Sequence, residues 1–218
     1  MPPPSAALLT QILDAGLADM QQEGITPEQR SLLLDYVLLL QRWNATHNLT
    51  AVRDPRDMIP RHILDSLAVL PFLDQGSVVD IGSGAGLPGI PLAICRPAQD
   101  FTLVEPAAKR VAFLRSVVAE LGLANVQIAP MTSEHYQPEI LPDWIISRAT
   151  APLARLDKMT NHLQGPQSVV LALKGPGVEE ELADWPRASS LDIHRHDLHI
   201  PGLPTRKLLI WTSPVRVP

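Results

Sequence analysis

The sequence predicts an α/β chain: a mostly parallel, doubly wound sheet of seven strands behind a helical N-terminal extension. Three observations predict it. Val78-Val79-Asp80-Ile81 runs into Gly82-Ser83-Gly84-Ala85-Gly86-Leu87-Pro88-Gly89 and then into an apolar stretch with helical spacing, which reads as strand, tight turn, helix. From residue 77 onward, short near-continuous apolar runs alternate with helical stretches, as expected of parallel strands covered on both faces. The last two runs are joined only by Pro201-Gly202-Leu203-Pro204-Thr205, too short for a helical crossover, so they must form an antiparallel pair at one edge.

The elements follow in order. Leu8, Leu9, Ile12, Leu13, Leu17 and Met20 recur at three- and four-residue intervals, one face of an amphipathic helix. Thr26-Pro27-Glu28-Gln29 starts a second helix with a hydroxyl cap, a proline at the first helical position and a glutamine three residues after the cap. It runs to about Trp43-Asn44. Asp54-Pro55 opens a short helix, and 59–70 continues helically despite Pro60. Strands are expected at 78–81, 101–104, 126–129, 144–147 and 168–173, helices at about 87–95, 108–121 and 152–163, and the tail pair at about 190–199 and 207–213. The division is an extension over 1–72 and a Rossmann-like domain over 73–218. Such a sheet with one reversed strand is the class I methyltransferase arrangement.

Composition narrows the function. Apolar residues make up 45% of 218, enough for a full core, and no uninterrupted apolar run is long enough to span a bilayer. Cys95 is the sole cysteine, so an internal disulfide is excluded and a reducing compartment fits. Met1-Pro2-Pro3-Pro4 lacks the charged and apolar regions of a secretion signal, and a cytoplasmic monomer is expected. A net charge of −5 argues against nucleic-acid binding by bulk electrostatics, yet local basic clusters stand out. They are Arg53, Arg56, Arg61 and His62; Lys109, Arg110 and Arg115; and Arg206-Lys207. Framing one sheet edge, they suit a polyanionic substrate.

The glycine turn raises the question of its ligand. Gly84-x-Gly86-x-x-Gly89 matches the dinucleotide fingerprint, but a pyrophosphate wants bare N–H groups and no carboxylate nearby, whereas Asp80 ends the strand. S-adenosyl-L-methionine carries an ammonium and a sulfonium and no phosphate, so the balance lies with the methyl donor while a dinucleotide stays open. Glu105, about 20 residues on at the next strand end, suits ribose hydroxyls in either ligand.

The strand-end chemistry narrows the acceptor. Methylation of exocyclic amines usually uses an Asp/Asn-Pro-Pro-aromatic clamp, and here the segment reads Ile146-Ser147-Arg148-Ala149-Thr150. Pyrimidine C5 chemistry needs a cysteine nucleophile, and Cys95 lies elsewhere. Guanine N7 is unprotonated at neutral pH and needs no base, so alignment is the catalytic task; orientation can contribute about 7–11 kcal/mol in favourable cases. Arg148 and Lys174 are the candidate positioning groups. N7 in an A-form duplex lies in a groove that side chains barely enter, which points to a loop or an open intermediate as target.

Trp43-Asn44-x-x-x-Asn48-Leu49-Thr50, Arg61-His62-Ile63-Leu64-Asp65-Ser66-Leu67 and the 80–91 block resemble the bacterial 16S rRNA guanine-N7 methyltransferases, once called glucose-inhibited division protein B. Ser147-Arg148-Ala149, Ala172-Leu173-Lys174-Gly175 and Pro201-Gly202-Leu203 before Arg206 continue the resemblance. It implies methylation of the guanosine at nucleotide 527 of small-subunit rRNA, free or in a small ribosomal subunit intermediate. S-adenosyl-L-methionine would be converted to S-adenosyl-L-homocysteine without a metal. It further implies donor contacts from Asp80, Gly82, Ser83, Gly84, Leu87 and Glu105, with Ser133 and Glu134 beside the adenine. Arg148 would stand at the junction of donor and base, and Arg61, His62, Lys174 and Arg206 would meet the RNA; Lys109 and Arg110, from the basic clusters, are further candidates for RNA contact. Met131-Thr132 replaces the family's usual Gly-Arg, and Pro106 its serine or aspartate.

Other features read as structural. Asp65, at i+4 from Arg61, suggests a local ion pair, Trp43 and Trp144 read as core, and 179–181 as a solvated acidic helix turn. His194-x-His196-x-x-His199 alternates on an edge strand, as exposed residues do. The rival functions are a small-molecule methyltransferase, a non-catalytic RNA-binding assembly factor and a dinucleotide oxidoreductase.

Overall fold

Residues 4–148 and 151–212 are described by the computed structural model, so Ala149, Thr150 and the predicted last strand residue 213 lie outside the described residues. Helix α1 (Ala6–Asp19) is capped by Ser5 and buries Leu9, Leu13 and Leu17 of the predicted stripe. Leu8 of that stripe is exposed. In α2 (Pro27–His47) the Thr26 hydroxyl accepts from the Gln29 N–H while the Gln29 side chain accepts from the Thr26 N–H. Two orphan donors are thereby satisfied, as the motif predicts.

The segment after Asn48 departs from the expected plain helix. A short α3 (Pro55–Met58), a widened π-type turn over Ile59–Leu64 and α4 (Asp65–Leu67) follow one another. Pro60, which has no N–H for an i→i−4 bond, falls within the widened turn.

The strands are β1 (Val78–Ile81), β2 (Phe101–Val104), β3 (Val126–Ala129), β4 (Trp144–Arg148), β5 (Val169–Lys174), β6 (Ile193–Leu198) and β7 (Arg206–Thr212). They form one sheet in the order β3-β2-β1-β4-β5-β7-β6. The first five are parallel, and β7 runs antiparallel to both β5 and β6. The reversed strand therefore lies just inside the edge. Helices α5 (Gly89–Cys95), α6 (Ala108–Leu121), α7 (Leu153–Thr160) and α8 (Val178–Ala183) complete the alternation. The glycine turn thus yields to helix at Gly89, two residues later than the spacing suggests.

Period-two alternation divides the core between the faces. Val78, Phe101, Leu103, Ile146, Leu171 and Leu208 face a cluster that includes Leu13, Tyr36, Leu40, Ile63, Ile90 and Phe113. Val79, Val104, Ile145, Val170, Leu209 and Trp211 face Leu153, Leu156, Val178 and Trp185. The N-terminal helices are thus built into one of the two layers. Among the described residues no helix is long and apolar enough to cross a membrane.

The chain passes from β1 outward through β2 and β3, then returns to place β4 on the other side of β1. At such a switch point the loops leaving adjacent strands diverge and open a crevice at their carboxyl ends.

Candidate active site

A cleft of about 530 Å³ occupies that crevice, lined from β1 by Ile81, Gly82, Ser83, Gly84 and Leu87, from β2 by Glu105, and from β4 by Arg148. Gly84 has φ +60°, and a Cβ there would meet only the Gly82 carbonyl oxygen, at 3.9 Å. Backbone conformation, not space, therefore requires glycine at this position. The Gly84 N–H donates to Glu105 Oε2 at 2.8 Å, and the Ala107 N–H donates to Oε1 at 2.9 Å. Glu105 is 2% exposed and ties the two strand-end loops together, while each oxygen keeps a second lone pair for a ligand hydroxyl.

Ser133 and Glu134, in a short turn after β3, close the far side of the cleft, with Ser133 buried and Glu134 exposed. Hydrogen bonds from its own backbone N–H and from Thr132 hold the Glu134 carboxyl below the usual range. The buried Ser83 hydroxyl has no hydrogen-bond partner among the described residues. An orphaned hydroxyl on the wall of a cleft is what a polar ligand group would satisfy, so the residues present fit a donor with charged and hydroxylated ends.

Asp80 does not take part in that wall. Its side chain is fully buried beneath the turn, where Oδ2 accepts from the Gly89 N–H at 2.9 Å and Oδ1 has no partner among the described residues. Burial pushes its carboxyl up to about 7. The sequence expectation of a donor contact is corrected accordingly: this carboxylate holds the turn from below. Gly89 permits it, because a Cβ there would stand 2.8 Å from Asp80 Oδ2 and 2.3 Å from Leu103 Cδ2.

A second cavity of about 510 Å³ lies across Arg148, lined by Arg61, His62, Asp65, Lys174, Arg206 and the 202–204 loop. Arg148 lines both spaces. Its Nη1 donates to Asp65 Oδ2 at 2.8 Å and to the Arg61 carbonyl at 3.0 Å. Asp65 Oδ1 accepts from Arg206 Nε at 2.9 Å. The expected Arg61–Asp65 pair does not form; the carboxylate turns inward to two arginines that lie 83 and 141 residues away in sequence. Local spacing has no means of showing that choice.

His62 is 6% exposed. Its Nδ1 faces the Arg61 carbonyl at 2.9 Å and must carry the proton, so Nε2 accepts from the Thr50 hydroxyl, also at 2.9 Å. Burial, reinforced by the Arg148 charge, lowers its pKa to about 4. Asn44 completes the arrangement: its side chain accepts from the Thr50 N–H and donates to the Val52 carbonyl. The tryptophan–asparagine–threonine block is thereby a brace that brings Leu49 and Thr50 to the donor cleft.

Lys174 lines the second cavity but is 5% exposed, and its ammonium bonds the Ala151 carbonyl and Glu181, the latter at 2.8 Å. Glu181 also accepts from the Leu153 N–H at the start of α7. The 179–181 segment is therefore not merely a solvated turn. Arg110 stands on the donor cleft, 3.6 Å from Glu105, and Lys109 is exposed at the start of α6 and lines neither space. Trp43 and Trp144 are half-buried against the core. Leu49, Thr50, Arg155 and Met159 are cleft residues that spacing alone does not single out.

Solved structures share the fold. A precorrin-6y C5,15-methyltransferase from Geobacter metallireducens superposes with a TM-score of 0.55 at 11% identity, over 77% of this chain and 93% of that one. A SAM-dependent methyltransferase from Aquifex aeolicus does so at 0.52 and 17%, over 67% and 88%. The architecture is that of the class I S-adenosylmethionine-dependent methyltransferases. In sequence, the chain is 41% identical over 204 residues to the ribosomal RNA small subunit methyltransferase G of Methylobacillus flagellatus, covering 93% of this chain and 97% of that protein. It is 40% identical over 210 residues to the protein of that name from Escherichia fergusonii, covering 96% and 98%. The family model described as rRNA small subunit methyltransferase G matches residues 29–209, the span that contains both cavities and the Arg148 side chain between them, and the chain belongs to that family.

Proposed function

We propose that this protein transfers a methyl group from S-adenosyl-L-methionine to N7 of a guanosine in small-subunit rRNA, at nucleotide 527. The observation that carries the reading is Arg148, the wall between a cleft suited to a nucleoside donor and a basic cavity.

On this reading Gly82, Ser83, Gly84, Leu87, Glu105, Ser133 and Glu134 hold the donor, with the Ser83 hydroxyl and Glu105 carboxylate as its polar anchors. The donor supplies an electrophilic methyl carbon on a sulfonium. Arg148 fixes the nucleobase at the junction, and Arg206 and Arg61 accept the phosphodiester beside it. N7 offers its lone pair directly, so no residue has to remove a proton in the transfer, and the neutral state of His62 is consistent with a bracing role. Lys174 positions the 151–153 segment through its bonds rather than meeting RNA as a mobile charge.

The test is mass spectrometry of small-subunit rRNA from a strain lacking the gene, complemented with the wild type or Arg148→Ala. Methylation at that guanosine should vanish on deletion, return with the wild type and stay below a tenth of normal with the variant. Full methylation in the deletion strain would refute the assignment. Comparing deproteinised rRNA with intact subunits in vitro would identify the form of substrate, cytoplasmic pre-subunits being the proposed one.

A further inference from the structure

We infer that Asp65 is a positioning residue for the acceptor: it clamps Arg148 and Arg206 together and presents both guanidinium groups to the cavity that takes the nucleobase and its phosphate. The inference rests on the reading proposed above and deepens it.

Three observations carry it. The Asp65 side chain is 3% exposed, and each of its oxygens takes one arginine, Oδ2 at 2.8 Å from Arg148 and Oδ1 at 2.9 Å from Arg206. Those arginines come from β4 and β7, on opposite sides of β5, and Asp65 comes from the helical segment packed at the sheet end. The carboxylate thus joins three elements that share no local sequence. Finally, Asp65 lines the second cavity and not the donor cleft.

Two like charges would separate if nothing of opposite sign lay between them. One buried carboxylate lets both remain side by side and still leaves the group one positive charge to meet a phosphate. It occupies a single N–H of Arg206, out of the five a guanidinium carries. Orientation is fixed as well as charge, because a hydrogen-bonded guanidinium cannot swing with the freedom of an exposed one. Asp65 touches neither donor nor base in this arrangement and acts through the arginines.

The experiment measures kcat and KM on small subunits together with donor-product affinity by calorimetry, for the wild type, Asp65→Asn and Asp65→Glu. With Asp65→Asn, kcat/KM should fall at least tenfold while the Kd for S-adenosyl-L-homocysteine stays within threefold. Asp65→Glu, which keeps the charge on a side chain one methylene longer, should recover between a third and two-thirds of the lost activity, and a wild-type value for it would overturn the inference. An unchanged kcat/KM would overturn the inference, and so would donor affinity falling in the same proportion, the mark of a general structural role. If Asp65→Asn does not fold, Asp65→Glu carries the test: kcat/KM lowered about threefold with the donor Kd unmoved supports the clamp, and a wild-type value overturns it. Wild-type protein that binds the donor but methylates neither deproteinised rRNA nor the subunit would sink the proposed function instead, which separates the two failures.

Discussion

Burial displaces the pKa values of His62 and Asp80 in opposite directions, the first downward and the second upward. For His62 the folded pKa of about 4 lies below the unfolded value of about 6.5. The unfolded chain therefore binds the extra proton first, and the stability His62 contributes is present above pH 6.5 and lost as pH falls toward 4. For Asp80 the folded value of about 7 lies above the unfolded 3.8, so its contribution is present below 3.8 and lost as pH rises through 7. Between pH 4 and 6.5 the two slopes oppose each other and flatten the stability profile. Asp80→Asn removes one of them, and its unfolding free energy from chemical denaturation should rise with pH across that window, by on the order of 2 kcal/mol or more from His62. A flat profile in the variant would contradict the assignment. An NMR titration checks the histidine directly: its ring should stay neutral at pH 5. Gly84→Ala tests the turn by the same logic of single groups. With open space around the Cβ and φ at +60°, the cost is the left-handed backbone alone, roughly 1–2 kcal/mol, or about 2–8 °C in Tm. A Tm within 1 °C of wild type would show that the turn relaxes.

Among the elements, those with strong periodicity are legible in the residue pattern itself. β1, β2 and β3 occupy the predicted residues, because each is a short, mostly apolar run rich in β-branched residues and set between turn formers. α6 likewise spans Ala108–Leu121 as expected, ended by Gly122 in the left-handed conformation. The 59–67 stretch is not legible in detail, since a widened turn differs from an α-turn by one hydrogen-bond register and leaves the apolar spacing nearly unchanged. How α2 serves the site is also hidden from the sequence. The buried Tyr36 hydroxyl donates to the Ala85 carbonyl at 2.6 Å, fastening the helix to the donor turn. Tyr36→Phe leaves that carbonyl without this bond and should cost about 1–3 kcal/mol, read as a lower denaturation midpoint with weaker binding of S-adenosyl-L-homocysteine. An unchanged midpoint would mean the turn is held by Asp80 and Glu105 alone.

For the molecule as a whole, the charge of −5 and the four cations around the second cavity set the style of RNA binding. Arg148, Arg206 and Lys174 already have carboxylate partners, so few counterions should be released from the RNA. A plot of log affinity against log salt should have a slope of about −1 to −3, at roughly 0.7 per contacted single-stranded phosphate. A slope steeper than about −5 would point to a broad electrostatic surface. The N-terminal helices share a core with one face of the sheet, through Leu13, Tyr36 and Ile63 against Ile90 and Phe113. We propose that they unfold with it in a single thermal transition, and a separate early transition in calorimetry would divide the chain at about residue 72.

Hydrophobic period and glycine punctuation are local quantities. Residues 78–89 therefore disclose a strand, a turn and a helix start, and Glu105 announces itself by its distance from the glycines. The partner of a buried charge is a different matter. Asp65 has Arg61 one helical turn away and bonds instead to Arg148 and Arg206, because packing brings two guanidinium groups to its carboxylate and leaves Arg61 in solvent. Asp80 has the strand-end place of a ligand contact, yet the pleat turns it under the loop, toward Gly89. Which face a side chain takes, and which distant charge it meets, follows from how layers stack, and that arrangement exists only once the chain has folded.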